Sequence, residues 1–261
     1  MIRLFIATLL LINGFGSLAY GDEKTPDDSF VIGTFSYPPL LHKGKDGAFS
    51  GTLGETVKLI CEKAALNCRF KILPLKRVYQ ELRGGKVDAL VTLDLGQFPK
   101  CCLISKWRSP WAAGLFSTLP ANEIPKIEKE IYGKKLIVVN GMRSPYSFLP
   151  EMDKLAKEGK IKLYVSKHVS SSANMFAKGR AELLWGGEDF TWHLKKIAPH
   201  MAYNFRPLLK KNVVLWARKE HQGILDKFDE AVAQLRTEQT IGEDGKLHPD
   251  LMAQTYQEPA S

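Results

Sequence analysis

The sequence predicts an α/β protein of two lobes, each a mainly parallel sheet flanked by helices, with the chain crossing between them twice. Three observations carry this expectation. Strand-like and helix-like segments alternate, strand first, through residues 30–93; such alternation implies a parallel sheet covered by helices. The same order returns over residues 135–185. A last strand-like run, 212–218, follows the second set and precedes an amphipathic pattern at 224–236, so the chain is expected to return to the first unit.

Residues 1–21 read as a secretory leader: Arg3 gives a positive start, residues 4–12 are uncharged and mostly apolar, and Ala19 and Gly21 are the small residues read at a cleavage site. The apolar run is shorter than the roughly 20 residues of a spanning helix, and no Cys stands at the cleavage site to carry a lipid. Residues 30–35 (Phe-Val-Ile-Gly-Thr-Phe) form a strand. Tyr37-Pro38-Pro39 then has to leave the sheet, because proline cannot donate to a central ladder. Leu53, Val57, Ile60, Cys61 and Ala64 recur at helical spacing, giving a helix over 53–65. A strand follows at 68–73, a helix at 75–83 stopped by Gly84-Gly85, and a buried strand at 87–93.

The second set has strands at 135–140, 162–165 and 182–185, with helices at 148–157 and 171–178 between them. Gly179 ends the second helix, as Gly84-Gly85 ends its counterpart. The joins are a linker at 119–125 after a strand at 115–119, and a second linker at 207–211. Beyond 249 the chain is polar and expected to be partly loose. The organisation is therefore a leader at 1–21, a discontinuous first lobe of 22–118 plus 212–255, and a second lobe of 119–211. In open α/β sheets ligands sit beyond the carboxyl ends of the strands. Two lobes with those ends facing would enclose a ligand, with the crossings as hinge.

Composition narrows the function classes. The 261 residues carry formal charge +9, and removing a leader with one Arg and no acid leaves +8. A positive surface draws in anions, but the basic residues are scattered and not massed beside stacking aromatics, which argues against a nucleic-acid partner. No G-x-S-x-G, H-E-x-x-H or P-loop stands in the chain, and the six His are dispersed, so no catalytic residue, metal or cofactor is expected. Four Cys in an exported chain allow three disulfide pairings. Cys61 and Cys68 flank a helix end and can bridge locally. Adjacent Cys101 and Cys102 are not expected to bridge each other, because a vicinal disulfide strains the backbone; either can instead pair with Cys61 or Cys68. A zinc site is disfavoured, since no His stands at finger spacing.

The order and spacing of several short runs resemble family 3 of the bacterial extracellular solute-binding proteins. The carriers are Ile32-Gly33 with Tyr37-Pro38-Pro39; Gly51 opening a helix; Pro74-Leu75-Lys76-Arg77; Gly85-Lys86-Val87-Asp88-Ala89; Ser109-Pro110-Trp111; Gly179-Arg180-Ala181-Glu182; and the run from Val213 to Lys219. The resemblance covers about residues 30–255. It implies a type II periplasmic-binding-protein fold that traps a small polar ligand, an amino acid or organic acid. It also implies a periplasmic location and an ABC-transporter permease or a membrane sensor as partner. A monomer is expected. Periplasmic cyclohexadienyl dehydratases share this scaffold, so a lyase of that kind is the alternative.

Six residues are candidate ligand contacts. Tyr37 stands at the forced exit of the first strand, where a ring can floor a site by stacking. Trp111 lies on the way to the first crossing. Arg77, early on a short helix, faces the cleft in such relatives. Counting twelve residues on from Asp88 reaches Lys100, where the amino-acid binders carry an Arg that grips the ligand carboxylate; Lys offers a point charge in place of a planar fork. The family's second-lobe Gly-Thr motif is replaced by Asn140-Gly141-Met142-Arg143-Ser144, and Arg143 can take over anion binding from that side. The family's amine-binding acid falls near Glu188 or Asp189, of which Glu188 is the candidate.

Overall fold

A computed structural model describes residues 29–260, so the expected leader lies outside the described residues. The elements are β1 (Phe30–Thr34), β2 (His42–Lys43), β3 (Phe49–Ser50), α1 (Thr52–Lys63), β4 (Cys68–Ile72), α2 (Leu75–Arg83), β5 (Ala89–Leu93), β6 (Cys102–Ile104) and β7 (Ser109–Ser117). Then come β8 (Lys135–Val139), α3 (Pro145–Phe148), α4 (Met152–Lys157), β9 (Lys162–Ser166), α5 (Val169–Ala177), β10 (Leu183–Gly187), α6 (Phe190–Ile197), β11 (Asn204–Arg218), α7 (Gln222–Thr237) and α8 (Pro249–Thr255).

In the first lobe, β4, β1 and β5 pair in parallel, and the second half of β11 joins β5 antiparallel. In the second, β9, β8 and β10 pair in parallel, and β10 joins β7 antiparallel. β7 and β11 pair with each other, from Ser117 opposite Asn204 to Ser109 opposite Val213. The sheet order is therefore β4-β1-β5-β11-β7-β10-β8-β9, one ladder through both lobes, with β6 attached to β11. All of β10 and most of β8 are buried, as strands covered on both faces require. On α1 the periodic Leu53, Val57, Ile60 and Cys61 are buried; a fully buried side chain of this size contributes roughly 1.5–3 kcal/mol.

Four expectations need correction. The helix expected over 148–157 is two pieces, α3 and α4, parted at Leu149 to Glu151; Pro150 between them has no N–H to give a continuous helix. The second linker, 207–211, is strand: β11 runs unbroken from Asn204, absorbing Pro207 in a bulge before Leu209. The tail beyond 249 begins with helix α8, with Pro249 in its first turn, where proline's fixed φ suits a helix.

The fourth correction concerns the cysteines. Cys61 and Cys68 are bridged, with Cα atoms 6.2 Å apart. Cys101 and Cys102 are bonded to each other, contrary to the strain argument. They lie in a tight turn closed by the Cys102 N–H donating to the Phe98 carbonyl (3.1 Å). Cys102 is buried with Val78, Leu90 and Trp216, which anchors that turn. With Cys61 and Cys68 already joined, no other cysteine is open to either.

Candidate functional site at the lobe interface

The first wall grows from the loop after β1. Tyr37 N–H donates to the Leu41 carbonyl and Leu41 N–H donates back, at 2.6 and 3.0 Å. This loop is tied to the start of α1, whose Thr52 and Leu53 N–H groups donate to the Pro39 and Leu40 carbonyls. Gly51 makes the approach possible: its φ is +112°, and a Cβ there would strike the Leu40 carbonyl. The loop therefore presents Tyr37 in a fixed, buried position.

The facing wall grows from the end of β10. Gly186 and Gly187 leave space for rings: a Cβ on Gly186 would enter Phe190, and one on Gly187 would enter Trp111. Trp111 on β7 thus reaches across and donates Nε1–H to Asp189 Oδ1 at 2.7 Å. The Tyr37 ring meets Trp111 edge-on, with centroids 6.4 Å apart, and lies 5.7 Å from Phe190. His193 on α6 donates its Nε2–H to the Pro38 carbonyl at 3.0 Å, a direct bond between lobes.

The electrostatics of this wall follow from burial. Asp189 Oδ2 and the Tyr37 hydroxyl are buried beside each other, and Ser109 Oγ is buried without a partner. Burial pushes the Asp189 carboxyl up to about 6, opposed by the Trp111 N–H and the nearby Tyr37 hydroxyl and reinforced by the charge of Glu188. Burial, then the Asp189 charge, holds the Tyr37 phenol well above the usual range.

Between the walls lies a narrow slot of about 50 Å³, with Phe35, Leu75, Tyr79 and Leu93 from the first lobe and Met142, Arg143 and Ser144 from the second. That is room for about one or two waters, so the lobes stand closed on each other. The slot opens outward into a mouth of about 470 Å³ between α2 and the β8–α3 turn. On the hinge side, a cavity of about 230 Å³ lies behind Trp111, lined by Ser109, Glu188, Asp189 and Lys246. Beneath the slot, Trp185 donates Nε1–H to Ser144 Oγ at 3.0 Å and so fixes the turn carrying Arg143.

Of the candidates read from sequence, Tyr37 and Trp111 meet in the wall, and Arg143 stands where the slot joins the mouth. Glu188 is exposed and lines the hinge-side cavity; its neighbour Asp189 carries the buried oxygen. Arg77 is 65% exposed and paired with Glu81 at 2.9 Å, outside the lining of slot and mouth. Lys100 is exposed in the loop before β6 and also stands outside that lining. The structure adds Lys76, Tyr79 and Arg83, all on one face of α2. Their i, i+3, i+7 spacing is the sequence signal for that face, and it turns Arg77 away by about 100°.

No family model matches the chain, and no curated protein matches it either. Solved structures do. A substrate binding protein of an ABC uptake transporter from Streptococcus pneumoniae, with bound histidine, has TM-score 0.66 at 17% identity, over 83% of this chain and 90% of that one. An ancestral arginine-binding protein bound to arginine has TM-score 0.65 at 18% identity, over 82% and 94%. A histidine kinase sensor domain with similarity to periplasmic binding proteins has TM-score 0.68 at 16% identity, over 81% and 91%. The chain has the two-lobed α/β fold that these binding proteins and this sensor domain share.

Proposed function

We propose that the protein captures a small polar ligand, anionic or zwitterionic, such as an amino acid or an organic acid, by closing one lobe on the other, and performs no chemistry on it. One observation carries the reading: Tyr37 and Tyr79 from one side of a two-strand connection and Arg143 and Ser144 from the other line a single cleft. The moving part is the segment 119–211 and the stationary part 22–118 plus 212–255. Tyr37, Trp111, Arg143 and the Glu188-Asp189 pair are the contacts this reading assigns. The solved structures named above are binding proteins and a sensor domain, not enzymes.

On the same reading the chain is exported to the periplasm after loss of residues 1–21. It acts as a monomer and hands its ligand to an ABC-transporter permease or presents it to a membrane sensor. The test is a thermal-shift screen of the mature chain against amino acids and organic acids. A ligand that binds only the folded form adds about 2.7 kcal/mol at a hundredfold excess over Kd. Arg143→Ala is expected to weaken the ligand found while leaving the unliganded Tm unchanged. A screen in which no compound raises Tm refutes the proposal.

A further inference from the structure

We propose that the guest carries a dianionic oxyanion group, a phosphate monoester or a pair of adjacent carboxylates, held at the mouth of the cleft by Lys76, Arg83 and Arg143. This rests on the solute-binding reading above and names the ligand class for it.

Room favours the mouth. The slot between Tyr37 and Met142 holds about 50 Å³, whereas the mouth holds about 470 Å³, within the range of small-molecule sites. The opposite flank of the slot, beside Lys167 and His168, holds about 330 Å³, so the mouth is the larger space for a charged head group, and the apolar slot suits a thin or flat body.

The charge at the mouth is positive. Lys76 and Arg83 reach the mouth from α2 in the first lobe, and Arg143 reaches it from the second. None of the three forms an ion pair with an acid among the described residues. Arg83 lies over the Phe98 ring, 5.1 Å from its centroid, which leaves its charge uncompensated. Asp153 is the one acid in the lining, and it already accepts a hydrogen bond from the Tyr146 hydroxyl at 3.0 Å. Three cations against one acid leave two positive charges to be balanced. The Arg143 charge also bears on Tyr79 across the lobe boundary, lowering a phenol pKa that burial raises.

The arrangement belongs to the closed state. The stem of Lys76 packs on Gly141 of the opposite lobe; a Cβ there would lie 2.9 Å from Lys76 Cγ. Closing therefore drives the α2 cations toward Arg143, and their mutual repulsion opposes it. An oxyanion between them turns that repulsion into attraction from both sides. Arg supplies a planar fork suited to carboxylate or phosphate, and Lys a mobile point charge. A ligand ammonium at this position would meet like charge on both walls.

The probes are phthalate and phenyl phosphate, with benzoate, L-phenylalanine and benzamidine as charge controls. Binding to the mature chain is read by tryptophan emission and thermal shift. The expected result is that one or both dianions bind at least tenfold more tightly than benzoate or phenylalanine, and that benzamidine does not bind. The relative affinity of phthalate and phenyl phosphate identifies the oxyanion source. Raising NaCl from 50 to 500 mM should weaken the dianion about tenfold, since these charges are open to screening. The triple variant Lys76→Gln, Arg83→Gln, Arg143→Gln should lose at least tenfold in affinity. Its unliganded Tm should stay within about 2 °C of the parent, because all three side chains are exposed and substitutions at such positions change stability little. Dianion binding that the triple variant leaves unchanged overturns the assignment. So does phenylalanine or benzoate binding as tightly as the dianions, which leaves the solute-binding reading standing. If neither these probes nor any compound of the amino-acid and organic-acid screen binds, both readings fall.

Discussion

Replacing Asp189 by Asn removes a carboxylate that folding has taken out of water. Its carboxyl is pushed from an ordinary 3.8 to about 6 by burial. A folded-state pKa above the unfolded one means the native protein holds the proton more tightly. The stability from this group is then fully present below pH 3.8 and lost as pH rises through 6. Two units at 1.36 kcal/mol each put the cost above pH 6 at about 3 kcal/mol. Asn keeps an oxygen to accept the Trp111 Nε1–H and never ionises. Asp189→Asn is therefore expected to be more stable than the parent at pH 8. Between pH 5 and pH 8 the advantage should grow by about 1.4 kcal/mol, the one unit of titration in that window. Urea unfolding followed by tryptophan emission at the two pH values measures it. A variant whose stability difference from the parent is the same at pH 5 and pH 8 would show that Asp189 is not buried as described.

Ser144→Ala should leave the buried Trp185 Nε1–H without its acceptor and cost about 1–3 kcal/mol in the same unfolding assay. Gly187→Ala places a Cβ in the space of Trp111 and Asp189; overpacking of this kind costs about 1–3 kcal/mol. The displaced indole should also change the emission maximum of the folded state. Cys61→Ser with Cys68→Ser opens a short loop, and the chain-entropy relation puts the loss at about 2.5 kcal/mol, read as a lower urea midpoint. Arg77→Ala should leave the affinity for any ligand found in the screen unchanged, because that side chain is paired with Glu81 outside the cleft lining; a tenfold loss in isothermal titration would contradict that placement.

Much of the frame was legible because its punctuation is local. Pro74 and Gly84-Gly85 bound α2, and the sequence range 75–83 matches Leu75–Arg83. The strand repeats were legible as apolar runs that end in turns. The first half of β11 was not, because Pro207 reads as a break wherever the neighbouring strand is unknown, and here β7 supplies the pairing through a bulge. α3 and α4 read as one helix because their apolar spacing is continuous across Pro150. The Cys101–Cys102 bond was hidden because a turn closed by Phe98 and buried behind Trp216 is a tertiary fact. At the site, Tyr37 was marked by the prolines after it and Trp111 by its place before the crossing. Choosing between Glu188 and Asp189 depends on which carboxylate faces Trp111, and that follows from the entry angle of α6. The sequence carries no local cap pair to set that angle.

The strap between the lobes carries a bulge at its middle. Opposite Gly114, Pro207 has no N–H to give, and the register jumps from Pro207 to Leu209, so one rung of the ladder is missing where the two halves of the molecule meet. Gly114 has no side chain, and a Cβ would strike the Arg206 carbonyl. Backbone twist can therefore concentrate at that point with few bonds to break, while the rungs to either side hold each half rigid. Deuterium should enter the amides around residues 113–115 and 208–209 earlier than their strand neighbours, marking the pivot directly.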